Sequence, residues 1–426
     1  MDIIENFKYT DIGIIPNDWE IKTLRDLTNL ITNGFVGKAK LHYTKSGEGV
    51  MYLQGFNVEN NSFNLSGIKY VTQEFHKKNS KSCLQKDDLL TIQTGDIGLT
   101  SIVPEKFAGS NCHALIISRF KKHISSPMFY CQYFNSRFGR NRFKSIETGS
   151  TMKHLNVYDL AVFQLPVPPL TEQQAIAETL SDVDELITSL EALIAKKRAI
   201  KQGVMQELLT GRRRLPGFIN KWKKVKLGEL GCCLRGVSYQ GESDLYEVEN
   251  NLSVRLMRSN NIQNGTCDYS DLQFVTKHRV KQDQYLQHND IIICMANGSK
   301  QLVGKTAIYK VEDTNKYTFG AFLGCFRTDS NMANSDFLSN YFLSYQYRCF
   351  IDILLSGSSI NNLTPINLES IDLVVPDIDE QNEIANIFIE LDSEISIFEK
   401  EASKYKLLKQ GMMQELLTGR IRLKGG

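Results

Sequence analysis

The segments Gln202–Leu215, QGVMQELLTGRRRL, and Gln410–Leu423, QGMMQELLTGRIRL, agree at 12 of 14 positions and lie 208 residues apart. Chance does not produce such agreement, so a duplicated unit has to be considered before any local motif. The same offset continues upstream. It aligns Gly149 with Gly357, Leu155 with Leu363, Pro168 with Pro376, Glu172-Gln173 with Glu380-Gln381, and Asp184 with Asp392. Nearer the start of each half the offset becomes 203: DWEIKTLRDL at Asp18–Leu27 resembles KWKKVKLGEL at Lys221–Leu230, with Trp19 against Trp222. Each half therefore opens on a Trp-containing strand, passes through a dissimilar middle, and closes on a matched tail. Similar ends with dissimilar middles imply one architecture carrying two different surfaces.

The tails have helical periodicity. Ile176, Leu180, Val183, Ile187, Leu190 and Ile194 step by fours and threes, as do Phe388, Leu391, Ile395, Phe398, Ala402 and Tyr405. Both are heptad-like seams. Helices over 172–209 and 380–417 would be rods of about 57 Å, with Thr171 and Asp379 placed as N-caps and Gly211 and Gly419 as stop signals. Rods of that length need a partner, and antiparallel pairing of the two suits duplicated halves. The middles read as short apolar runs broken by Gly, Asn and Ser, followed by helical stretches such as SPMFYCQYFNSRFGRNRFKSI and DFLSNYFLSYQYRCFIDIL. The expected fold is mixed α+β, with two similar domains separated by two long antiparallel coiled-coil helices and related by a pseudo-twofold internal repeat. The expected boundaries are 1–165 and 216–373 for the two variable domains, and 166–215 and 374–426 for the helical spacers.

Composition fits this division. A chain of 426 residues exceeds the ~250–300 residues at which single cores stop growing. Its 42% hydrophobic and 23% charged residues are those of a globular protein, and a net charge of +2 identifies no partner. Nine scattered cysteines, an odd number, argue for a reducing compartment and against a metal site. No secretory signal and no membrane-length apolar run stand out, so the expected location is cytoplasmic.

Several loops carry chemistry suited to a polyanion. TGDIG at Thr94–Gly98 and ANGSKQLVGK at Ala296–Lys305 follow strand-like runs, and ETGSTMKHL and LSGSSINNL precede the helices at equivalent positions. Gly-Ser turns can present adjacent N–H groups to phosphate. Residues 196–226 hold eleven Lys or Arg against one Glu, a phosphate-facing patch or a solvated positive face. Elements for methyl transfer (NPPY or DPPY), nucleotide cradling (GxxxxGK[ST]) and zinc hydrolysis (HExxH) are not present in the sequence.

Together, LPVPPLTEQQAIAETLSDVDELI, KKRAIKQGVMQELLTG and their second copies LVVPDIDEQNEIANIFIELDSEI and YKLLKQGMMQELLTG closely resemble the specificity subunit of type I restriction-modification systems. The resemblance covers essentially the whole chain. It implies a noncatalytic subunit in which each variable region is a target-recognition domain reading one half of a split double-stranded DNA sequence. The conserved helices of that family space the domains and dock two methyltransferase (modification) subunits, and two restriction/translocation subunits complete the enzyme. S-adenosylmethionine, ATP and magnesium would belong to those partners, leaving this chain with no cofactor, metal or catalytic residue. Candidate DNA-contacting residues are Gln54, Asn57, Thr94, Asp96, Arg258, Asn260, Asn261, Asn297, Ser299 and Lys300. Amides can pair bidentately with adenine and an arginine with guanine. The same Asn and Gly residues also favour plain turns. A protein-binding scaffold with little DNA specificity is the alternative reading.

Overall fold

The structure is a computed structural model that describes residues 6–149, 153–263, 265–311, 313–356 and 361–423. By its contacts the chain divides into two compact units, Met1–Glu191 with Lys400–Gly426, and Ala192–Glu399. The seam periodicity yields two helices of 39 residues each, Leu170–Leu208 and Ile378–Leu416. Each helix thus contributes its first part to one unit and its last part to the other. Their starts differ from the sequence expectation. The first helical bonds run from Gln173 N–H to Pro169 O and from Gln381 N–H to Asp377 O, 3.0 Å each, so Thr171 and Asp379 lie inside the first turn and are not caps.

Within each unit the two helix segments run antiparallel. In the first unit Lys409 and Lys406 reach Asp184 and Glu191 at 2.5 and 2.6 Å. In the second, Lys201 and Lys197 reach Asp392 and Glu394 at 2.7 and 2.6 Å. Ile176, Leu180, Ile187, Leu190, Ile194, Phe388, Ile395 and Ala402 are buried along the seam, while Val183, Leu391, Phe398 and Tyr405 are half-buried. Full burial of such a side chain contributes ~1.5–3 kcal/mol, more than the exposed ion pairs can.

The dissimilar middles share one topology. In the first unit the strands Thr100–Ile102, Leu89–Ile92, Leu115–Phe120 and Thr28–Asn33 lie in that order as an antiparallel sheet. In the second, Thr306–Ile308, Ile291–Cys294, Leu323–Thr328 and Gly231–Arg235 repeat the order within a six-stranded sheet. A smaller four-stranded sheet accompanies each: Asn111–Cys112, Val50–Leu53, Lys69–Val71 and Tyr43–Thr44 in one, and Tyr317–Phe319, Ser253–Met257, Gln273–Thr276 and Leu245–Tyr246 in the other. Even the internal braces recur. Asp88 and Asp290, both buried, take bidentate hydrogen bonds from Arg119 and Arg327 at 2.7–2.9 Å. Each unit is therefore a mixed α/β domain, and the aromatic stretch Tyr341–Phe350 supplies core through Tyr341, Phe342 and Tyr347.

The repeated tail explains itself in this frame. Leu416 and Leu417 enter the core of the first unit, and Leu208 and Leu209 that of the second. Gly419 and Gly211 then turn the chain at φ +71° and +67°. A Cβ on Gly419 would lie 2.4 Å from the Pro16 ring and 3.0 Å from Trp19, so both conformation and space select glycine. Past the turn, Arg422 Nε and Nη2 donate to Glu172 at 2.7 Å each, and both Nη atoms reach Asp18. Trp19 Nε1 donates to the same Glu172 at 3.1 Å. In the second unit Arg214 and Trp222 treat Glu380 alike, at 2.7–2.8 and 3.1 Å. The neighbouring glutamines tie each helix start to its domain. Gln173 accepts from Ser126 N–H and donates to Ile124 O and Pro168 O, while Gln381 accepts from Asn334 N–H and donates to Pro376 O.

Removing Arg422 leaves the Glu172 side chain, 4% exposed, without its guanidinium. Arg422→Ala is expected to cost about 3 kcal/mol and to raise hydrogen exchange in Leu416–Leu423 while sparing Leu208–Leu215; Arg214→Ala should show the mirror pattern. Unchanged exchange in both variants would contradict a structural role for these pairs.

Candidate nucleic-acid interface

Two turns in each unit carry the ten residues singled out by the sequence. The first follows strand Val50–Leu53 in one unit and strand Ser253–Met257 in the other. Both turns are built on a buried asparagine. Asn57 Oδ1 accepts from Gln54 N–H at 3.0 Å, and its Nδ2 donates to Asn64 O at 2.8 Å. Asn261 Oδ1 accepts from Arg258 N–H at 2.8 Å, and its Nδ2 donates to Asp268 O and Asp271 O at 2.9 Å each. Their own carbonyls accept from Asn64 N–H and Asp268 N–H, completing a matched frame. Asn57 and Asn261 are 0% and 1% exposed. The structure therefore makes these two expected DNA contacts into braces, since no amide edge is presented to solvent.

The position three residues before each brace holds a different side chain. Gln54 donates through Nε2 to Tyr43 Oη at 2.7 Å. Arg258 donates through Nη2 to the exposed Asp271 carboxylate at 3.0 Å, while its buried Nε has no partner among the described residues. Asn260, exposed, donates to the same Asp271 oxygen at 2.8 Å. Arg258, Asn260 and Asn261 thus converge on one aspartate.

The second turn follows strand Leu89–Ile92 or Ile291–Cys294. Thr94 and Asp96 are exposed, and Arg140 Nη1 donates to Asp96 O at 3.3 Å. Asn297 accepts from Ser299 N–H at 3.0 Å, an Asx turn that leaves Ser299 and Lys300 exposed. Each turn ends on a left-handed glycine, Gly98 or Gly304, whose absent Cβ admits Phe143 or Ile351 from a helix behind it. ETGSTMKHL and LSGSSINNL lie partly outside the described residues.

A short crossing segment joins the two turns within each unit. His113 N–H donates to Leu53 O at 2.8 Å, beside Gln54, and Leu115 pairs with Ile92, beside Gln93 and Thr94. Gly320 N–H donates to Met257 O at 3.0 Å, beside Arg258, and Leu323 pairs with Cys294, two residues from Ala296. Each unit therefore presents both turns along one edge. Burial lowers the pKa of His113, which shares a 3.1 Å hydrogen bond with Tyr52 and brings no charge to this edge at neutral pH. Phe322, 69% exposed on the second crossing segment, and Phe56, 56% exposed beside Gln54, were missed from sequence because both sit in runs that read as strand core.

The basic stretch 196–226 is partly paired within its unit. Lys197, Arg198, Lys201, Arg214, Lys224 and Lys226, six of its eleven cations, pair with Glu394, Glu399, Asp392, Glu380 and Asp372. Among the described residues no group of three or more His, Cys, Asp or Glu is arranged to hold a metal ion, and no helix is long and apolar enough to cross a membrane.

Comparison with known proteins fits this duplicated geometry. The family described as type I restriction modification DNA specificity domain matches residues 16–202 and again 219–406. The chain belongs to the specificity-subunit family of type I restriction-modification systems. It is 27% identical to a putative type I restriction enzyme specificity subunit, MjaX, of Methanocaldococcus jannaschii, over 99% of this chain and 97% of that protein. It is 32% identical to the EcoKI specificity subunit of Escherichia coli over 47% of this chain and 43% of that one. Its fold resembles the crystal structure of a type I S subunit from M. genitalium, with a TM-score of 0.59, 17% identity and 98% of each chain covered.

Asn261→Ala removes three hydrogen bonds from a buried brace and is expected to lower stability by about 2 kcal/mol. Asn260→Ala, at an exposed position, should stay within ~0.5 kcal/mol of the parent. Urea titration of both variants checks this, and equal stabilities would contradict the assignment of Asn261 as a brace.

Proposed function

We propose that the chain is the noncatalytic subunit that gives a type I restriction-modification enzyme its DNA sequence specificity, each unit reading one half of a split double-stranded target. One observation carries this reading: the same asparagine-braced turn occurs twice, with Gln54 on one copy and Arg258 on the other. Gln and Arg are the side chains suited to bidentate pairing with adenine and with guanine O6 and N7. A fixed frame with an exchanged side chain is what reading two different half-sites requires. Thr94, Asp96, Asn297, Ser299 and Lys300 stand on the neighbouring turn, where hydroxyls, exposed N–H groups and Lys300 can meet phosphates and so set register.

In the same proposal, the long helices fix the interval between half-sites and dock two methyltransferase subunits, with two restriction/translocation subunits added in the complete enzyme. An open cleft of about 1990 Å³ in the first unit supports docking: it runs between the hairpin Phe7–Pro16 and the helix surfaces around Ile187 and Met413. Cofactors of methyl transfer and translocation then bind the partners, and the assembly works in the cytoplasm, where its DNA is.

Binding of the chain, co-purified with methyltransferase subunits, is expected to weaken when either half-site of the target duplex is scrambled at constant salt. Arg258→Gln should relax or change the preference at a single base of the second half-site, by ~1–3 kcal/mol, leaving the first half-site untouched. Equal binding to intact and scrambled duplexes would remove the sequence-reading claim and favour a protein scaffold.

A further inference from the structure

One connection breaks the likeness between the units. Residues 34–49 join strand Thr28–Asn33 to strand Val50–Leu53, and residues 236–252 join Gly231–Arg235 to Ser253–Met257. Both contribute a two-residue strand at the equivalent sheet edge: Tyr43–Thr44 pairs with Lys69–Val71, and Leu245–Tyr246 pairs with Gln273–Thr276. Their charges are opposite. The first carries Lys38, Lys40, His42 and Lys45 against Glu48 alone; the second carries four carboxylates, Asp244, Glu247 and Glu249 among them, and no Lys, Arg or His. Two of the latter are tied down by Arg279 and Arg255. Among the described residues no carboxylate pairs with Lys38, Lys40 or Lys45.

The basic loop holds an apolar tip in water. Leu41 is 88% exposed and Val36 67%. The loop around them is anchored. Ala39 is buried, the His42 ring lies 4.7 Å from Phe75, and Thr72 N–H donates to His42 O at 3.0 Å. Tyr43 Oη accepts from Gln54 Nε2, which places the loop beside the side chain proposed to read a base. An exposed leucine alone means little. A leucine on an anchored loop, between lysines that no described carboxylate pairs and next to an amide proposed to read a base, meets the needs of one partner: a polyanion whose interior is apolar.

Building on the proposed DNA-reading function, we infer that Leu41 is a wedge that enters a base step of the first half-site while Lys38 and Lys40 contact the flanking phosphates. Apolar side chains inserted in this way partly unstack the step and kink the duplex, so the first half-site is read partly through its deformability. The acidic counterpart loop repels phosphate, and the second half-site is bound without a wedge.

The test uses the full chain co-purified with methyltransferase subunits and a duplex of the target mapped by methylation, with 2-aminopurine placed at successive steps other than those flanking the methylated adenines, which methyltransferases flip out of the stack. Wild-type binding is expected to raise fluorescence at one step of the first half-site and at none of the second. Leu41→Ala should abolish that rise, and Leu41→Phe should keep it. Lys40→Ala should reduce the salt slope of binding by about 1. An undiminished rise in Leu41→Ala, or no rise at any step with the parent protein bound, overturns the wedge and leaves the proposed function standing. Loss of methyltransferase from Leu41→Ala, with fluorescence unchanged, overturns it in favour of a protein contact. Parent protein that binds scrambled and intact duplex equally overturns the function reading and the wedge with it.

Discussion

A carboxylate almost wholly removed from water must be met by a fixed cation and further donors, or it will not stay there. Glu172 and Glu380 are in that position, each on the first turn of a long helix, each under a tryptophan, and each clamped by an arginine. The arginine comes from the exit of the other long helix: Arg422 for Glu172 and Arg214 for Glu380. Neither unit is complete without the tail of the helix that begins in its counterpart. The antiparallel course of the helix segments, the two leucines entering each core and the left-handed glycine that turns the chain toward tryptophan all serve this closure.

That constraint accounts for which letters repeat. Trp, Glu-Gln, Leu-Leu, Thr-Gly and the last Arg of each tail all sit at the junction of a helix with a domain, where one geometry has to be built twice. The middles face no such demand on identity. They keep strand order, the buried Asp–Arg brace and the buried asparagine, and they differ where side chains leave the frame, at Gln54 and Arg258 above all. Function in this reading lies in a small number of exchanged side chains on duplicated supports.

The long helices, their pairing and the division into two similar mixed domains were legible in the sequence, because heptad spacing and a fixed offset survive divergence. The roles of Glu172 and Arg422 were not, since their partners lie 250 residues apart and no local pattern joins them. Among the site residues, Gln54, Arg258 and the two second turns were legible as polar groups after strand-like runs. Asn57 and Asn261 looked the same on paper, yet an asparagine that satisfies backbone groups inside a turn has the same letter as one that reads a base. The pairing of six cations in residues 196–226 was not legible for a related reason: their carboxylate partners lie in distant sequence, on the second helix and its lead-in strand. Leu41 carried no periodic signal, and only its exposure on an anchored basic loop draws attention to it.

Mapping methylated adenines in the genome, in cells with and without an intact copy of this gene, tests the central claim most directly. The account predicts one bipartite motif, two defined half-sites around an unspecified gap, that is methylated with the gene and lost without it. An unchanged set of methylated motifs would contradict it.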